Sequence, residues 1–522
     1  ATLLLFCYAF TVVYGGTHYM MMQTTDIHGW VSGHPHNATL NADFGDYCSL
    51  VQHLQQRAID ENFEFLLFDS GDLIEGTGLS DATPIHGQYI FPIMQQIKNY
   101  TALTIGNHDI GHASTVQLMK ETFIPHYNEN KRQEDGKYLT ANSYMKGLEE
   151  EFIGQPYSTY YTKFGQKILL MGWLYNFTLE AINTNVMTVN EALLQPWFVQ
   201  AMQEPGIDMI IATMHIDPTV PPELDQIYTA VRSYHPTLPF ILFSGHRHIL
   251  YFEQLDPTSF TLESGKYFEV VGVVEFDLED GKFDNFTYDW YETSLDNFYK
   301  LANKTEDNFI TPEGIETKEL ITYYTNTLHL NDTLGCSPEF YDPEKLIVEE
   351  SSLYNLYLED VIPNQVFNSS LPNVQFFIAN TATLRYPLYQ GRVTVNDIFA
   401  IIPFIDEYVY FPDLTGTEVQ GILSQLRLFL SPNLLMTPYF GTNSQQNMTR
   451  PAYTHSIEKV DPTKMYDVVC AEYDSQTIGP IIASLYPSVN SDPVPYPTFL
   501  SSTTALGEYV ASSFPCSSEC VC

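Results

Sequence analysis

Five short apolar runs mark the first half of the chain, and each closes on a side chain able to ligate a metal ion. Tyr19-Met20-Met21-Met22 leads into Asp26-Ile27-His28. Phe65 to Phe68 leads into Asp69-Ser70-Gly71-Asp72, and Ala102 to Ile105 into Gly106-Asn107-His108-Asp109. Met209 to Met214 ends at His215, and Phe240 to Phe243 runs into Ser244-Gly245-His246-Arg247-His248. Short apolar runs bounded by Gly, Ser and Asp are the pattern of strands buried on both faces. In open α/β sheets the ligand site lies beyond the carboxyl ends of the strands. The pattern thus predicts that these Asp, Asn and His side chains meet at one point.

Helical spacing fills the gaps. Cys48 to Ile59 places Leu50, Val51, Leu54 and Ala58 on one side, and Gln88–Ile97, Ser114–Phe123, Val189–Gln203 and Pro221–Tyr234 follow. Strand alternating with helix predicts a layered α/β domain. Phe260 to Leu278 reads as strands, with Val270 to Val274 central, and strand-like alternation continues over residues 280–300. Pro312 to Leu330 reads as a helix, with Thr311 as its N-cap and Pro312 where no N–H is needed. The pattern breaks at Asn331 to Pro338, where an interdomain linker is expected. The expected organisation is a first domain at 17–300, a linker with helix at 301–335 and a smaller second domain at 336–522. Residues 1–14 are apolar but too short to span a bilayer. The stretch 1–16 reads as a signal-peptide remnant or a first strand. No later run reaches membrane-spanning length and the C-terminus lacks the tail of a lipid-anchor signal, so a soluble protein is expected.

Composition narrows the partners. The 522 residues carry 63 Asp and Glu against 23 Lys and Arg, a net charge of −40. Nucleic acid and anionic membranes need clustered cationic side chains and are excluded as partners. Asn-x-Ser/Thr sequons at Asn37, Asn99, Asn176, Asn285, Asn303, Asn331, Asn368 and Asn447 favour a glycosylated, secreted protein. The 7 Cys are Cys7, Cys48, Cys336, Cys470, Cys516, Cys520 and Cys522. Disulfides are their expected use in an oxidising compartment. The odd count leaves at least one thiol unpaired or bonded to another chain, one route to oligomers; the second domain is another.

The residue types set the chemistry. Two Asp, one Asn and four His without Cys form a nitrogen and oxygen donor set suited to Zn, Mn, Fe, Co or Mg. They exceed the needs of one tetrahedral ion and suit two ions sharing a carboxylate, the usual clamp for in-line phosphoryl hydrolysis. Two divalent cations outweigh Asp26 and Asp72, so the site is electropositive inside an acidic protein.

The order Asp26-x-His28, Gly71-Asp72, Gly106-Asn107-His108, His215, Gly245-His246-x-His248 resembles the calcineurin-like metallophosphoesterase superfamily. Within it, the chain resembles the two-domain 5′-nucleotidases and their secreted fungal-type relatives. The resemblance implies an αββα sandwich followed by a smaller α/β substrate domain, with a hinge between them. It implies that Asp26, His28 and His248 hold one metal ion, Asn107, His215 and His246 the other, and that Asp72 bridges them. It also implies that an activated water attacks phosphorus, with His108 as catalytic residue facing the phosphoryl oxygens and Asn107 touching substrate. In the second domain, Asn380-Thr381-Ala382-Thr383-Leu384-Arg385 and Ile402-Pro403-Phe404 are similar to the family's substrate-binding turns. Arg385 would take phosphate or carboxylate and Phe404 would stack on the base. The chain departs from the family in four places, one being that the stretch Val361 to Ser370 has no Arg where nucleotidases often supply one. Ala382-Thr383 replaces a Gly pair before the Arg. Gly111 stands where an Asp usually orients the catalytic His. The later Gly-Gly-Asp-Gly-Phe stretch is absent, and the corresponding region reads Tyr473 to Gly479. The leading expectation is a secreted dinuclear phosphohydrolase acting on nucleoside 5′-phosphates. The alternatives are the same chemistry on a nucleotide-sugar, cyclic phosphodiester or other small phosphomonoester, or a non-catalytic extracellular structural protein.

Overall fold

The computed structural model describes residues 16–516 except 129–135, 148–150, 346, 348, 428–452, 457–458 and 499. The apolar start of the chain, Cys7, Cys520, Cys522 and the sequon at Asn447 lie outside the described residues.

Fifteen strands build the first half: β1 (Thr17–Thr24), β2 (Glu64–Asp69), β3 (Ala102–Thr104), β4 (Tyr138–Leu139), β5 (Ser143–Met145), β6 (Glu151–Phe152), β7 (Tyr157–Tyr161), β8 (Lys167–Leu174), β9 (Thr184–Val186), β10 (Met209–His215), β11 (Phe240–Ser244), β12 (Leu250–Asp256), β13 (Ser259–Ser264), β14 (Val270–Glu279) and β15 (Lys282–Glu292). Among the described residues they form two six-stranded sheets, in the orders β15-β14-β1-β2-β3-β4 and β12-β13-β11-β10-β8-β7, and a three-stranded sheet of order β6-β5-β9. β1, β2 and β3 run parallel, as do β8, β10, β11 and β13.

Strand alternation shows why the runs are apolar throughout. In β1, Tyr19 and Met21 face a core shared with Leu170, Ile211, Phe243 and Phe276 between the sheets. Met20 and Met22 face the opposite way, toward Leu50, Val51 and Leu54 of the helix Phe44–Asp60. On the second sheet, Met171, Ala212 and Leu242 face Phe198 and Ile227 of the helices Pro196–Met202 and Glu223–Tyr234. Both faces of each sheet are therefore covered, which requires apolar residues at successive positions. The order of layers is helix, sheet, sheet, helix.

The second half contains β16 (Thr333–Ser337), β17 (Val374–Asn380), β18 (Gly391–Thr394), β19 (Tyr408–Thr415), β20 (Tyr453–His455), β21 (Met465–Ala471) and β22 (Val494–Pro495). A five-stranded sheet of order β20-β17-β21-β19-β22 has its own apolar cluster on each face. The sequence-based helix after Thr311 forms over Pro312–Thr327, with the Thr311 side chain accepting from Gly314 N. It lies against the helix Phe44–Asp60, where a side chain on Gly45 would meet Gly314 O at 2.6 Å. Lys318 joins them by bridging Asp43 at 2.8 Å and Asp46 at 2.7 Å. The stretch 331–338, expected as a linker, contains β16, which pairs antiparallel with β18.

The halves meet along polar and aromatic contacts. Gly78 N donates to Asn396 Oδ1 at 3.0 Å, and His36 Nε2 lies 2.8 Å from Asp397. Trp30 packs on Tyr386, their ring centroids 4.5 Å apart. His34, near the first motif, belongs to this seam: it stacks on Trp30 and its Nε2 bonds Tyr267 O at 2.8 Å.

Candidate functional site

The carboxyl ends of β1, β2, β3, β10 and β11 deliver all seven expected ligands to one place. One group of mutually close ligand atoms comprises Asp26, His28, Asp72 and His248, and a second comprises Asp72, His215 and His246, so Asp72 is common to both. Asp26 Oδ1 is 3.1 Å from His248 Nε2 and 3.9 Å from both His28 Nε2 and His215 Nε2. Asp72 Oδ2 is 3.0 Å from His215 Nε2 and 3.6 Å from His28 Nε2. Asn107 Oδ1 joins the second group, 3.2 Å from His215 Nε2.

Local backbone aims these side chains. Asp26, His28, Asp72, His246 and His248 all have positive φ, between 48° and 81°. Non-glycine residues in that region cost of order 1–3 kcal/mol each and gather where function requires it. Gly106 leaves room for Asp72, since a side chain there would lie 2.0 Å from Asp72 Oδ1. Asp109 ties the loops together by accepting from Asp72 N at 2.9 Å, Leu73 N at 2.9 Å and Gly106 N at 2.8 Å. The inner nitrogens of two histidines bond main-chain carbonyls: His28 Nδ1 at 2.8 Å from Ile74 O, and His215 Nδ1 at 2.9 Å from Ser70 O. That fixes the rings and turns each Nε2 inward.

The donor set fits divalent cations. Asp26 Oδ1 is buried with no hydrogen-bond partner. Burial would raise Asp26 and Asp72, yet the neighbouring histidines together outweigh it, His215 foremost, with His248 beside Asp26 and His108 and His28 beside Asp72, and both carboxyls sit below the usual range. Burial opposes charge on His215, yet Asp72 and Asp26 push it up to about 10. Burial keeps His28 neutral and pushes His246 down to about 3. Two buried carboxylates set against one charged ring, His215, and the neutral rings of His28, His246 and His248 leave net negative charge that a cation would compensate.

His108 sits beside this cluster, its Nε2 4.0 Å from Asp72 Oδ2. Its Nδ1 bonds Glu75 Oε2. Glu75 was not singled out by the sequence. It comes from the loop after β2, three residues past Asp72, and takes the orienting position that Gly111 cannot fill. Burial would raise the Glu75 carboxyl, but hydrogen bonds from His108, His112 and His86 hold it well below the usual range.

A cleft of about 460 Å³ opens in front of His108 and His246, lined also by Asn107, Arg385, Phe404 and Tyr473. Arg385 Nη2 is 3.2 Å from His108 Nε2, and its guanidinium lies 4.9 Å from the Phe404 ring centroid. Arg385 Nη1 is buried without a partner. Both expected second-domain residues therefore face the cluster across the seam. Tyr473, the first residue of the divergent region, adds a second aromatic wall.

A four-layer αββα sandwich with Asp, Asn and His converging at its strand ends defines a calcineurin-like phosphoesterase. An uncharacterized protein of Schizosaccharomyces pombe is 31% identical over 485 residues, 84% of this chain and 79% of that one. A protein of Arthroderma benhamiae named as a secreted protein is 27% identical, over 78% of this chain and 66% of that one. The crystal structure of 5′-nucleotidase from Candida albicans superposes with a TM-score of 0.84 at 25% identity, covering 95% of this chain and 99% of that one. A 5′-nucleotidase precursor from Thermus thermophilus shares the fold, with a TM-score of 0.66 at 15% identity over 96% and 97% of the two chains. The family described as NAD nucleotidase, C-terminal domain, matches residues 340–475. The chain belongs to the two-domain 5′-nucleotidase family of calcineurin-like metallophosphoesterases. These neighbours support a hydrolase. Among the described residues, no helix is long and apolar enough to cross a membrane.

Proposed function

We propose that the protein hydrolyses nucleoside 5′-phosphates at this site. The observation that carries the reading is the pairing of two ligand groups sharing Asp72 with a cleft whose far wall is Arg385 and Phe404. Asp26, His28 and His248 would hold one divalent cation, and Asn107, His215 and His246 the other, with Asp72 between them. Bound there, the cations supply Lewis acidity to a phosphoryl oxygen and to a water molecule.

The chain's own groups do the rest. Glu75 holds the proton on His108 Nδ1, which leaves Nε2 facing the cleft. There His108 stabilises charge growing on the phosphoryl oxygens and passes a proton to the leaving oxygen. Arg385, with an unpaired Nη1, offers a planar fork to phosphate or carboxylate oxygens. Phe404 and Tyr473 offer aromatic faces, which suit any nucleobase. Asp406 and Glu472 also line the cleft. Their charge opposes extra phosphates there and suits sugar hydroxyls, which favours a monophosphate.

A substrate panel tests this. The expected kcat/KM for nucleoside 5′-monophosphates exceeds that for glycerol phosphate, nucleotide-sugars and cyclic phosphodiesters by at least about 10-fold, the effect of roughly 1.4 kcal/mol from base contacts. A preference for a non-nucleoside ester by the same margin would remove the nucleotidase assignment and leave the phosphohydrolase.

Secretion belongs to the same proposal. The seven sequon asparagines within the described residues are all at least partly exposed, and a relative is named as a secreted protein. Expression through a eukaryotic secretory pathway should give a product that shifts to lower mass on treatment with an N-glycosidase. An unshifted product would contradict glycosylation.

A further inference from the structure

The far side of Glu75 holds a second kind of cluster that the phosphoesterase reading does not use. Glu75 Oε2 is committed to His108. Glu75 Oε1 lies 2.7 Å from His112 Nε2 and 3.4 Å from His86 Nδ1. The three ligand atoms all lie within 4.8 Å of one another. Ions of the zinc class bind such atoms at about 2.0–2.2 Å, so their ligands stand roughly 3–4 Å apart. Two imidazoles and one carboxylate are a common donor set for such an ion, with a position left open to solvent.

A separate observation points to a cation. Asp81 is 2% exposed. Its Oδ2 accepts from Gly76 N at 2.8 Å and Thr77 N at 3.2 Å. Its Oδ1 is buried, has no hydrogen-bond partner, and lies 3.9 Å from His86 Nδ1. A buried carboxylate oxygen is costly to leave unpaired. Here it is turned toward the histidine that completes the cluster. Access is also present, because Glu75 and His112 line the cleft while His86 is buried.

We propose that Glu75, His86 and His112 form a third divalent-cation site, of zinc-class chemistry, with Asp81 as the supporting carboxylate. The site is distinct from the pair around Asp72 and stands whether or not the nucleotidase reading holds.

Zinc stoichiometry on the full chain tests the proposal. Metal-stripped wild type, His112→Ala and Asp72→Ala would each be dialysed against zinc and counted by mass spectrometry of the element. His112 is half exposed, so its loss leaves the core intact, and equal thermal unfolding would verify this. The expected result is one fewer zinc ion per chain in His112→Ala than in wild type, with that ion retained in Asp72→Ala. Zinc anomalous scattering from crystals should then show a peak within bonding distance of Glu75, His86 and His112. Equal zinc counts in wild type and His112→Ala would overturn the proposal, as would anomalous density at the Asp72 pair alone. Loss of phosphatase activity without a change in the zinc difference would count against the nucleotidase reading and not against this site.

Discussion

His108 has two ring nitrogens, and its surroundings treat them differently: a carboxylate holds Nδ1, while Nε2 meets the cleft and Arg385. Glu75→Gln keeps the shape but removes the charge that faces Nδ1. The expected outcome is a kcat lower by about 10–100-fold with KM changed by less than about 3-fold, and an altered pH–rate profile. A general loss of folding would lower the amount of active enzyme and leave that profile in place. Phe404→Ala should raise KM for nucleoside 5′-monophosphates by about 5–100-fold, the range of one lost stacking contact. It should leave glycerol phosphate hydrolysis within about 2-fold. The seven expected ligand residues could be picked out of the sequence because they follow five apolar runs in a fixed order. Glu75 could not, because a single Glu in a loop with φ of 65° carries no periodic signal. The region beginning at Tyr473 could be located in the sequence but the place of its ring in the cleft could not, because that follows from β21 ending there and turning into the helix Glu472–Leu485.

At the scale of elements, the positions of strands were easier to read than the ends of helices. Val189 to Gln203 reads as one helix but forms Val189–Ala192 and Pro196–Met202, because Pro196 starts a new helix at its first position. Ser114 to Phe123 continues through a π-helical turn, Met119–Phe123, into Ile124–Asn128. The strand β16 was hidden because its partner β18 lies more than fifty residues away. The helix Glu223–Tyr234 illustrates a side-chain lock. Arg232 Nε donates to Asp256 Oδ2 at 2.7 Å, and Nη1 to Leu238 O at 2.6 Å. Burial would raise Asp256, but hydrogen bonds from Arg232, Thr258 and Tyr228 hold its carboxyl well below the usual range. A carboxyl depressed in the folded state contributes stability above its unfolded value near pH 4, and that contribution is lost as pH falls through the folded value. Asp256→Asn should therefore cost about 1–2 kcal/mol at pH 7 in denaturant titrations. The gap to wild type should narrow steadily below pH 4. A gap that stays constant down to pH 2 would contradict this account of the ion pair.

Across the whole molecule, the sandwich and the second half of the chain meet at the cleft, and charge sets the conditions of encounter. The αββα layering could not be read from the runs alone, since a strand buried on both faces gives the same apolar string whichever sheet covers it. A net charge of −40 repels an anionic nucleotide at long range. Raising ionic strength from about 10 mM to about 150 mM should therefore increase kcat/KM for a nucleoside 5′-monophosphate. A decrease would show that the local field of the site dominates the approach. Cations that bind only the folded site also stabilise it. Removing them with a chelator should lower the unfolding temperature, and restoring them at about 1,000 times their dissociation constant should return about 4 kcal/mol. The central claim, that Asp72 stands between two cations serving phosphate-ester hydrolysis, is tested most directly by phosphate release from a nucleoside 5′-monophosphate. Wild type and Asp72→Ala would be compared after reconstitution with zinc, manganese, cobalt or magnesium. Turnover by wild type at about 1–1,000 per second, with Asp72→Ala slower by at least about 1,000-fold, is the predicted result. A wild type inert with every ion, or an Asp72→Ala protein that releases phosphate as fast as wild type, would contradict it.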